Sequence, residues 1–270
     1  MTKNDPIELA AIDRGAGSTV ALVHGGVFHS GPAWAKSISP LVDAGFRAIA
    51  VDRRGHGRSD PGGSDDIPVH LHADDLRLTL ELRDADPSHL VGVSYGALVC
   101  LEYALSWPDR VVSLVLVEPP LFTWLADDPD YAVWYESFLK IEERATKTSE
   151  DLADWVTDWL SLIDPNMARD VKPGSQYWPI IEKQAPLIFK EEAGWHYQPS
   201  DDAVHTLTVP VLVMNGDQSE PPMQVIGTRL AEALPLGSHM WVGGGGHDLH
   251  ARMSDTFNDA LIDFISRYDG

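Results

Sequence analysis

Apolar residues in this chain follow two alternating rhythms. Short, mostly apolar runs rich in aliphatic and β-branched residues occur at 20–23, 47–51, 90–93, 111–117, 209–214 and 240–242. They are almost continuously apolar, as strands buried on both faces of a parallel sheet should be. Residues 7–12 read as an antiparallel edge strand. Between these runs the period lengthens to that of a helix. Residues 69–83 interleave Leu71, Leu76, Leu78, Leu80 and Leu82 with charges. Residues 95–107 follow a strand directly and stop before Pro108, which cannot continue a helix. Residues 256–267 set Phe257, Leu261, Phe264 and Ile265 on one helical face. Strands alternating with helices predict an α/β fold, a parallel sheet flanked by helices.

The rhythm breaks between Leu121 and His205. No buried-strand run occurs there, and helical stretches at 131–143 and 150–162 are set apart by Pro129, Pro165, Pro173, Pro179 and Pro186. Six of the nine tryptophans fall in this stretch: Trp124, Trp134, Trp155, Trp159, Trp178 and Trp195. The pattern predicts a helical insertion at 121–205 between two parts of one core, 1–120 and 206–270. A length of 270 residues suits one core with an insertion better than two equal domains. The tryptophans pack the insertion onto the core, and some are expected to line an apolar pocket. Trp124, Trp155 and Trp159 are the candidates, with Val27 from the core.

Charge narrows the partners. Acidic residues outnumber basic ones 41 to 20, for a formal net charge of −21. A field of that sign repels phosphate backbones and anionic lipid, so neither nucleic acid nor a membrane surface is an expected partner. The acidic coat serves solubility, and a cytoplasmic setting is the default expectation. The amino-terminal residues 1–8 are polar and carry no secretory core, and the apolar run at 111–117 is too short to span a bilayer. The single cysteine, Cys100, excludes an internal disulfide and reads as a small buried hydrophobe.

Three glycine-rich turns carry the chemistry. Gly92-Val93-Ser94-Tyr95-Gly96 has the GxSxG form, which by composition alone arises in roughly one chain in ten of this length. Here it follows the run at 90–93 and opens the helix at 95–107, the strand-turn-helix setting that exposes a nucleophilic serine. His24-Gly25-Gly26 ends the run at 20–23, where backbone N–H groups of Gly26 or Val27, together with that of Tyr95, could hold a developing oxyanion. Gly243-Gly244-Gly245-Gly246-His247 follows the last strand. A serine hydroxyl needs a base, and among eleven histidines His247 has the right order and placement, with His250 as its competitor.

Taken together, the whole chain resembles the α/β-hydrolase superfamily. The matching pieces are His24-Gly25-Gly26, Asp52-Arg53-Arg54-Gly55-His56-Gly57-Arg58-Ser59, the Ser94 turn, Trp107-Pro108-Asp109-Arg110 and Gly246-His247, in the family's order. The resemblance implies a mostly parallel eight-stranded sheet, a cap inserted after the sixth strand, and a Ser-acid-His triad. It implies no cofactor, and no metal motif of the HExxH or CxxC kind occurs. Ser94 stands where dehalogenases and epoxide hydrolases of this fold carry an aspartate.

The acid departs from the commonest family pattern. Many relatives carry it after the seventh strand, three residues past a glycine. Here that strand runs into Asn215-Gly216-Asp217-Gln218-Ser219-Glu220, so Ser219 holds the slot, flanked by Asp217 and Glu220. Glu118 ends the run at 111–117 and precedes Pro119-Pro120. A carboxylate emerging from a buried strand needs a partner, and an imidazolium is one. Glu118 is the leading candidate, with Glu220 and Asp217 as alternatives. The Glu-Pro-Pro ending with a serine in the later slot resembles a subset of bacterial hydrolases and zearalenone-lactonase-like enzymes. The expected activity is hydrolysis of a carboxylic ester or lactone of a hydrophobic small molecule. Carbon–carbon bond hydrolysis or acyl transfer on the same residues is the second expectation, and a non-catalytic ligand-binding protein on a hydrolase scaffold is the third. The oligomeric state is left open.

Overall fold

The computed structural model describes residues 5–63, 66–147, 152–191 and 195–269. Seven strands form one sheet: β1 (Ala11–Arg14), β2 (Thr19–Val23), β3 (Arg47–Val51), β4 (Ser88–Val93), β5 (Val111–Val117), β6 (Val211–Gly216) and β7 (Gly237–Val242). Their order is β1-β3-β2-β4-β5-β6-β7; β1 runs antiparallel to β3 and every other pairing is parallel. Among the described residues the sheet thus has seven strands where the resemblance implies eight. The expected edge strand at 7–12 is shortened at its start: Ile7 N donates to Asp75 Oδ1 (2.8 Å), Leu9 N to Thr79 Oγ1 (2.8 Å) and Ala10 N to Ser59 Oγ (2.9 Å). Side chains have taken the donors a ladder would need, so the edge strand begins at Ala11 rather than at Ile7.

The strands read as continuous apolar runs because both their faces are covered. Along β5, Leu114 and Leu116 point into one core and Val115 and Val117 into the other, the period-two alternation of a pleated strand. The first core packs helices Val69–Glu81, Tyr95–Ser106 and Pro221–Ala233 and much of the insertion on one side. The second packs helices Ser30–Trp34, Ile38–Asp43 and Ser254–Ser266 on the other. Each fully buried Val or Leu in these strands contributes roughly 1.5–3 kcal/mol. Cys100 is buried in the first core, and burial pushes its thiol up.

Register is what makes a site. Val23 of β2 pairs with Gly92 of β4, Val93 pairs with Val117 of β5, Val117 with Met214 of β6, and Gly216 with Val242 of β7. The turns carrying Gly25, Ser94, Glu118, Ser219 and His247 therefore all leave the same sheet edge, the carboxyl ends of the strands, where open α/β sheets bind ligands.

The segment between β5 and β6 contains helices and no strand among the described residues: Ala132–Lys147, Leu152–Ile163, Pro165–Asp170, Trp178–Gln184 and Asp201–Thr206, with short 3₁₀ turns at Phe122–Leu125 and Ala185–Glu191. Leu152–Ile163 buries Trp155, Val156, Trp159, Leu160 and Ile163. That spacing gives one apolar stripe facing the core. Phe122 and Phe138 meet at 4.6 Å between ring centroids, with Trp134 and Trp195 against them, and this aromatic cluster knits the segment together. Among the described residues no helix is long and apolar enough to cross a membrane, and no group of histidine, cysteine and carboxylate side chains could hold a metal ion.

Candidate active site

Ser94 sits between β4 and the helix Tyr95–Ser106 with φ 53° and ψ −124°. Left-handed backbone at a non-glycine residue costs about 1–3 kcal/mol and persists only where its surroundings enforce it. The neighbours show how. A Cβ at Gly92 would stand 2.3 Å from Gly96 O, and one at Gly96 would stand 2.2 Å from Val23 O. Only glycine allows the turn to close this tightly. Ser94 N donates to Val117 O at 2.8 Å, which ties the turn to β5.

Glu118, the first residue past β5, is also left-handed, with φ 50°. Besides these two, only Asp84 is a non-glycine residue of positive φ among the described residues. The Glu118 side chain is fully buried. Its Oε1 accepts three hydrogen bonds: from Asn215 Nδ2 (2.9 Å), Gly216 N (2.9 Å) and Ser219 Oγ (2.8 Å). Its Oε2 faces His247 Nδ1 at 3.4 Å. Ser219, in the slot where many relatives carry the acid, thus donates to the Glu118 carboxylate. The two alternatives lie elsewhere. Asp217 is exposed and its Oδ1 accepts from Gly244 N (2.7 Å), so it holds the backbone of the histidine turn rather than the ring. Glu220 precedes the helix Pro221–Ala233, and its carbonyl, not its side chain, receives Met223 N (2.9 Å).

His247 is 6% exposed and Ser94 7%. Among the described residues no hydrogen bond joins Ser94 Oγ to the His247 ring; the two side chains meet in a cavity of about 660 Å³ that both line. The competitor His250 also lines it, but its ring lies 5.3 Å from that of Trp34 and also packs on Phe257. Burial, with His247 adding to it, pushes His250 down to about 3, so it stays neutral. Among the described residues no carboxylate bonds to it.

The turn at Gly25-Gly26 is fixed from behind. His24 Nε2 accepts from Arg53 N (2.9 Å), so the ring proton sits on Nδ1 and is donated to Gly25 O (2.7 Å). Arg53 Nη2 also donates to Gly25 O (3.1 Å), and His56 Nε2 lies 2.9 Å from Gly26 O. A trans peptide points its N–H opposite to the preceding carbonyl. With the carbonyls of Gly25 and Gly26 drawn toward Arg53 and His56, the N–H groups of Gly26 and Val27 are directed the other way, and both residues line the cavity. Tyr95 N is the first helical N–H past Ser94 and has no intrahelical partner. The Tyr95 ring lies in the core, 4.5 Å from the Arg53 guanidinium.

Arg53 in turn pairs with Glu191 of the insertion: Nη1 contacts Oε1, Nη2 lies 3.3 Å from Oε2, and His72 Nε2 lies 3.0 Å from Oε1. Burial pushes the Glu191 carboxyl up, but Arg53, His56 and His72 outweigh it and bring it to about 2. Burial and Arg53 push His56 down to about 4. Asp164, also from the insertion, accepts His247 N on Oδ2 at 2.9 Å. Sequence reasoning passed over both carboxylates. Asp164 before Pro165 does carry a helix-start signature, but nothing in the chain links either residue to a turn so far away in sequence.

The cavity walls are mainly apolar near Ser94: Phe28, Val93, Trp159, Leu160, Met167 and Val171. Of the four residues named for a pocket, Trp159 and Val27 line this cavity. Trp124 and Trp155 do not. Trp155 stacks behind Trp159 at 5.8 Å and spends its indole N–H on Ile141 O (2.8 Å); Trp124 packs into the first core and its carbonyl accepts from Arg229.

The model of the alpha/beta hydrolase fold family matches residues 19–251. The chain belongs to this family. The candidate carbamate hydrolase RutD of Variovorax paradoxus (strain S110) is 27% identical over 259 residues, covering 93% of each chain. The non-heme chloroperoxidase CPO-A1 of Kitasatospora aureofaciens is 27% identical over 277 residues, covering 98% of each. A thermophilic esterase from Thermogutta terrifontis superposes with a TM-score of 0.73 at 22% identity, over 97% of this chain and 94% of that one. This α/β hydrolase therefore shares its fold along nearly its whole length with proteins of several named activities.

Proposed function

We propose that this hydrolase cleaves a carboxylic ester or lactone of a hydrophobic small molecule through an acyl-enzyme. The observation that carries the reading is the Glu118–His247 contact at 3.4 Å, made by a carboxylate whose other oxygen is already held by three donors, beside a cavity shared with Ser94. A carboxylate so anchored keeps the ring proton on Nδ1 and leaves Nε2 free as a base.

The steps follow from that arrangement. Ser94 Oγ attacks the acyl carbon while its proton passes to His247 Nε2. The carbonyl oxygen becomes an oxyanion held by the N–H groups of Tyr95 and Gly26, with Val27 adjacent. Collapse breaks the acyl–oxygen bond, and His247 returns the proton to the departing alkoxide. A water then attacks the acyl-enzyme, gives its proton to His247, and releases the carboxylic acid with Ser94 reprotonated. In a lactone the alcohol stays tethered, so the product is one hydroxy acid. Glu118 stabilises the imidazolium in both halves, and its 3.4 Å separation should shorten toward the 2.7–2.9 Å of a charge-assisted bond as that cation forms.

Substrate class is argued from the cavity. Its aromatic and aliphatic lining around Ser94 favours an apolar acyl or alcohol group. The insertion supplies Trp159, Leu160, Met167 and Val171 to that lining, and in this reading residues 121–205 act as a cap that sets specificity. A fluorophosphonate probe should label the protein at Ser94, and Ser94→Ala should abolish labelling. A panel of p-nitrophenyl esters and lactones should then show a preference for long or cyclic apolar groups over acetate. Labelling without turnover of any panel member would move the reading to carbon–carbon substrates or to an acceptor other than water. No labelling at all would favour a binding protein on this scaffold.

A further inference from the structure

Asp164 is a 4%-exposed carboxylate that neither the GxSxG turn nor the acid slot accounts for. It lies in the insertion, between the helices Leu152–Ile163 and Pro165–Asp170. Both of its oxygens are occupied, and by different parts of the fold. Oδ1 accepts from Asn166 N and Met167 N, each at 2.9 Å, which caps the helix Pro165–Asp170. Oδ2 accepts from His247 N at 2.9 Å, eighty-three residues away. The approach is close enough that a Cβ at Gly246 would stand 2.6 Å from Oδ2. Gly246 thus serves the contact by having no side chain.

We infer that Asp164 is a positioning residue that fixes the His247 turn, so that the insertion, and not the core alone, sets where the base stands. This rests on the reading of His247 as the base. The rest of the turn explains why a clamp is needed. Gly243-Gly244-Gly245-Gly246 has no side chains to pack, and four consecutive glycines carry the largest backbone entropy a turn can have. Asp217 holds Gly244 N and Gln218 N donates to Gly245 O (2.9 Å), so the first half of the turn is tied to the β6 end. The second half, next to the imidazole, is tied by Asp164. Without that bond the His247 N–H would be a buried donor lacking its partner. The turn would be free to relax away from both Glu118 and Ser94. A carboxylate is the group that fits, because N–H donors face it on both oxygens. An amide would turn an NH₂ toward one of them.

The helix cap and the histidine clamp can be separated by substitution. Serine is a good N-cap residue, so Asp164→Ser keeps the cap while its short side chain cannot reach His247 N. The purified variant is compared with the unaltered protein in p-nitrophenyl ester hydrolysis, well below the melting temperature of both. The expected result is a kcat lowered about 10- to 100-fold with KM within about twofold, and a similar drop in the rate of fluorophosphonate labelling. A purely structural Asp164 would lower the melting temperature and leave kcat, KM and the labelling rate where they were; that result overturns the inference. Should Asp164→Ser fail to fold, Gly246→Ala presses on the same contact from the other side and leaves the cap intact; an unchanged kcat there overturns it equally. His247→Ala is measured alongside: full activity in it would sink the reading of the base, whereas a dead His247→Ala beside a fully active Asp164→Ser would sink only this inference.

Discussion

Glu118→Gln tests the acid with the fewest changes in shape. The structure dictates how a glutamine would sit. Its amide oxygen must occupy the place of Oε1, because Asn215 Nδ2, Gly216 N and Ser219 Oγ all donate there. Turning the amide over would leave at least the two N–H donors unmet, at about 1–3 kcal/mol each. The NH₂ therefore points at His247 Nδ1, where Oε2 stood at 3.4 Å. Two donors now face each other, and the imidazole resolves the conflict by moving its proton to Nε2. That is the wrong tautomer, because it presents an N–H to Ser94 where a lone pair is needed. The equivalent aspartate-to-asparagine change in serine proteases lowers kcat by about 10⁴, or about 5.5 kcal/mol, and a loss of that order is expected here. Stability should change less. Three charge-assisted bonds become ordinary ones, which at about 1 kcal/mol each lowers the melting temperature by roughly 6–12 °C. The assay is initial rates on a p-nitrophenyl ester at 25 °C and pH 8, with circular dichroism to show that the variant is folded. A folded Glu118→Gln protein with kcat within tenfold of the unaltered enzyme would refute the assignment of the acid.

The remaining expectations concern the surrounding groups. His247→Ala should lose activity by orders of magnitude, whereas His250→Ala should lower the melting temperature by thinning the packing against Trp34 and Phe257 yet keep most of the activity; the reverse pattern in a rate assay would exchange their roles. Glu191→Gln leaves the buried Arg53 guanidinium without its counter-charge, and breaking a buried pair from one side costs about 3–5 kcal/mol. A urea midpoint that does not move would contradict this. Stability should fall as pH drops below 6.5. His56 is held at about 4 in the folded protein and His250 at about 3, both below the ordinary value of 6.5, so the unfolded chain takes up protons first. Each such histidine adds up to about 1.4 kcal/mol of loss per pH unit between those limits. Glu191, lowered from 4.5 to about 2, adds a loss below pH 4.5 of the same sign. A melting temperature flat from pH 7 to pH 5 would show that these histidines are not neutral in the fold.

Much of this arrangement was legible in the chain because burial on two faces writes a simple pattern. Residues 111–117 are apolar but for Ser113, and the strand observed there has those same bounds. Ser94 and His247 stood out because their turns demand glycine, and glycine is visible. Glu118 was legible as a charge at the end of a desolvated run. What escaped notice depends on contacts between distant segments. Asp164 and Glu191 lie in a stretch whose local pattern says only helix and loop, and their partners are 83 and 138 residues away. The pocket tryptophans were indistinguishable by composition: Trp155 and Trp159 are one helical turn apart, yet one lines the cavity and the other stacks behind it. The start of the edge strand escaped because residues 7–12 look capable of pairing throughout, and only the structure shows the N–H groups of Ile7, Leu9 and Ala10 taken by Asp75, Thr79 and Ser59.

The bond from Ser219 to Glu118 brings the ends of two neighbouring strands to one spot behind the imidazole, their side-chain oxygens 2.8 Å apart. In the proposed mechanism the charge is therefore portable: an anion rooted in either stem could serve the same ring. Ser219→Asp placed in the Glu118→Gln background carries the anion to the other stem, and partial recovery of ester hydrolysis there is the expected outcome.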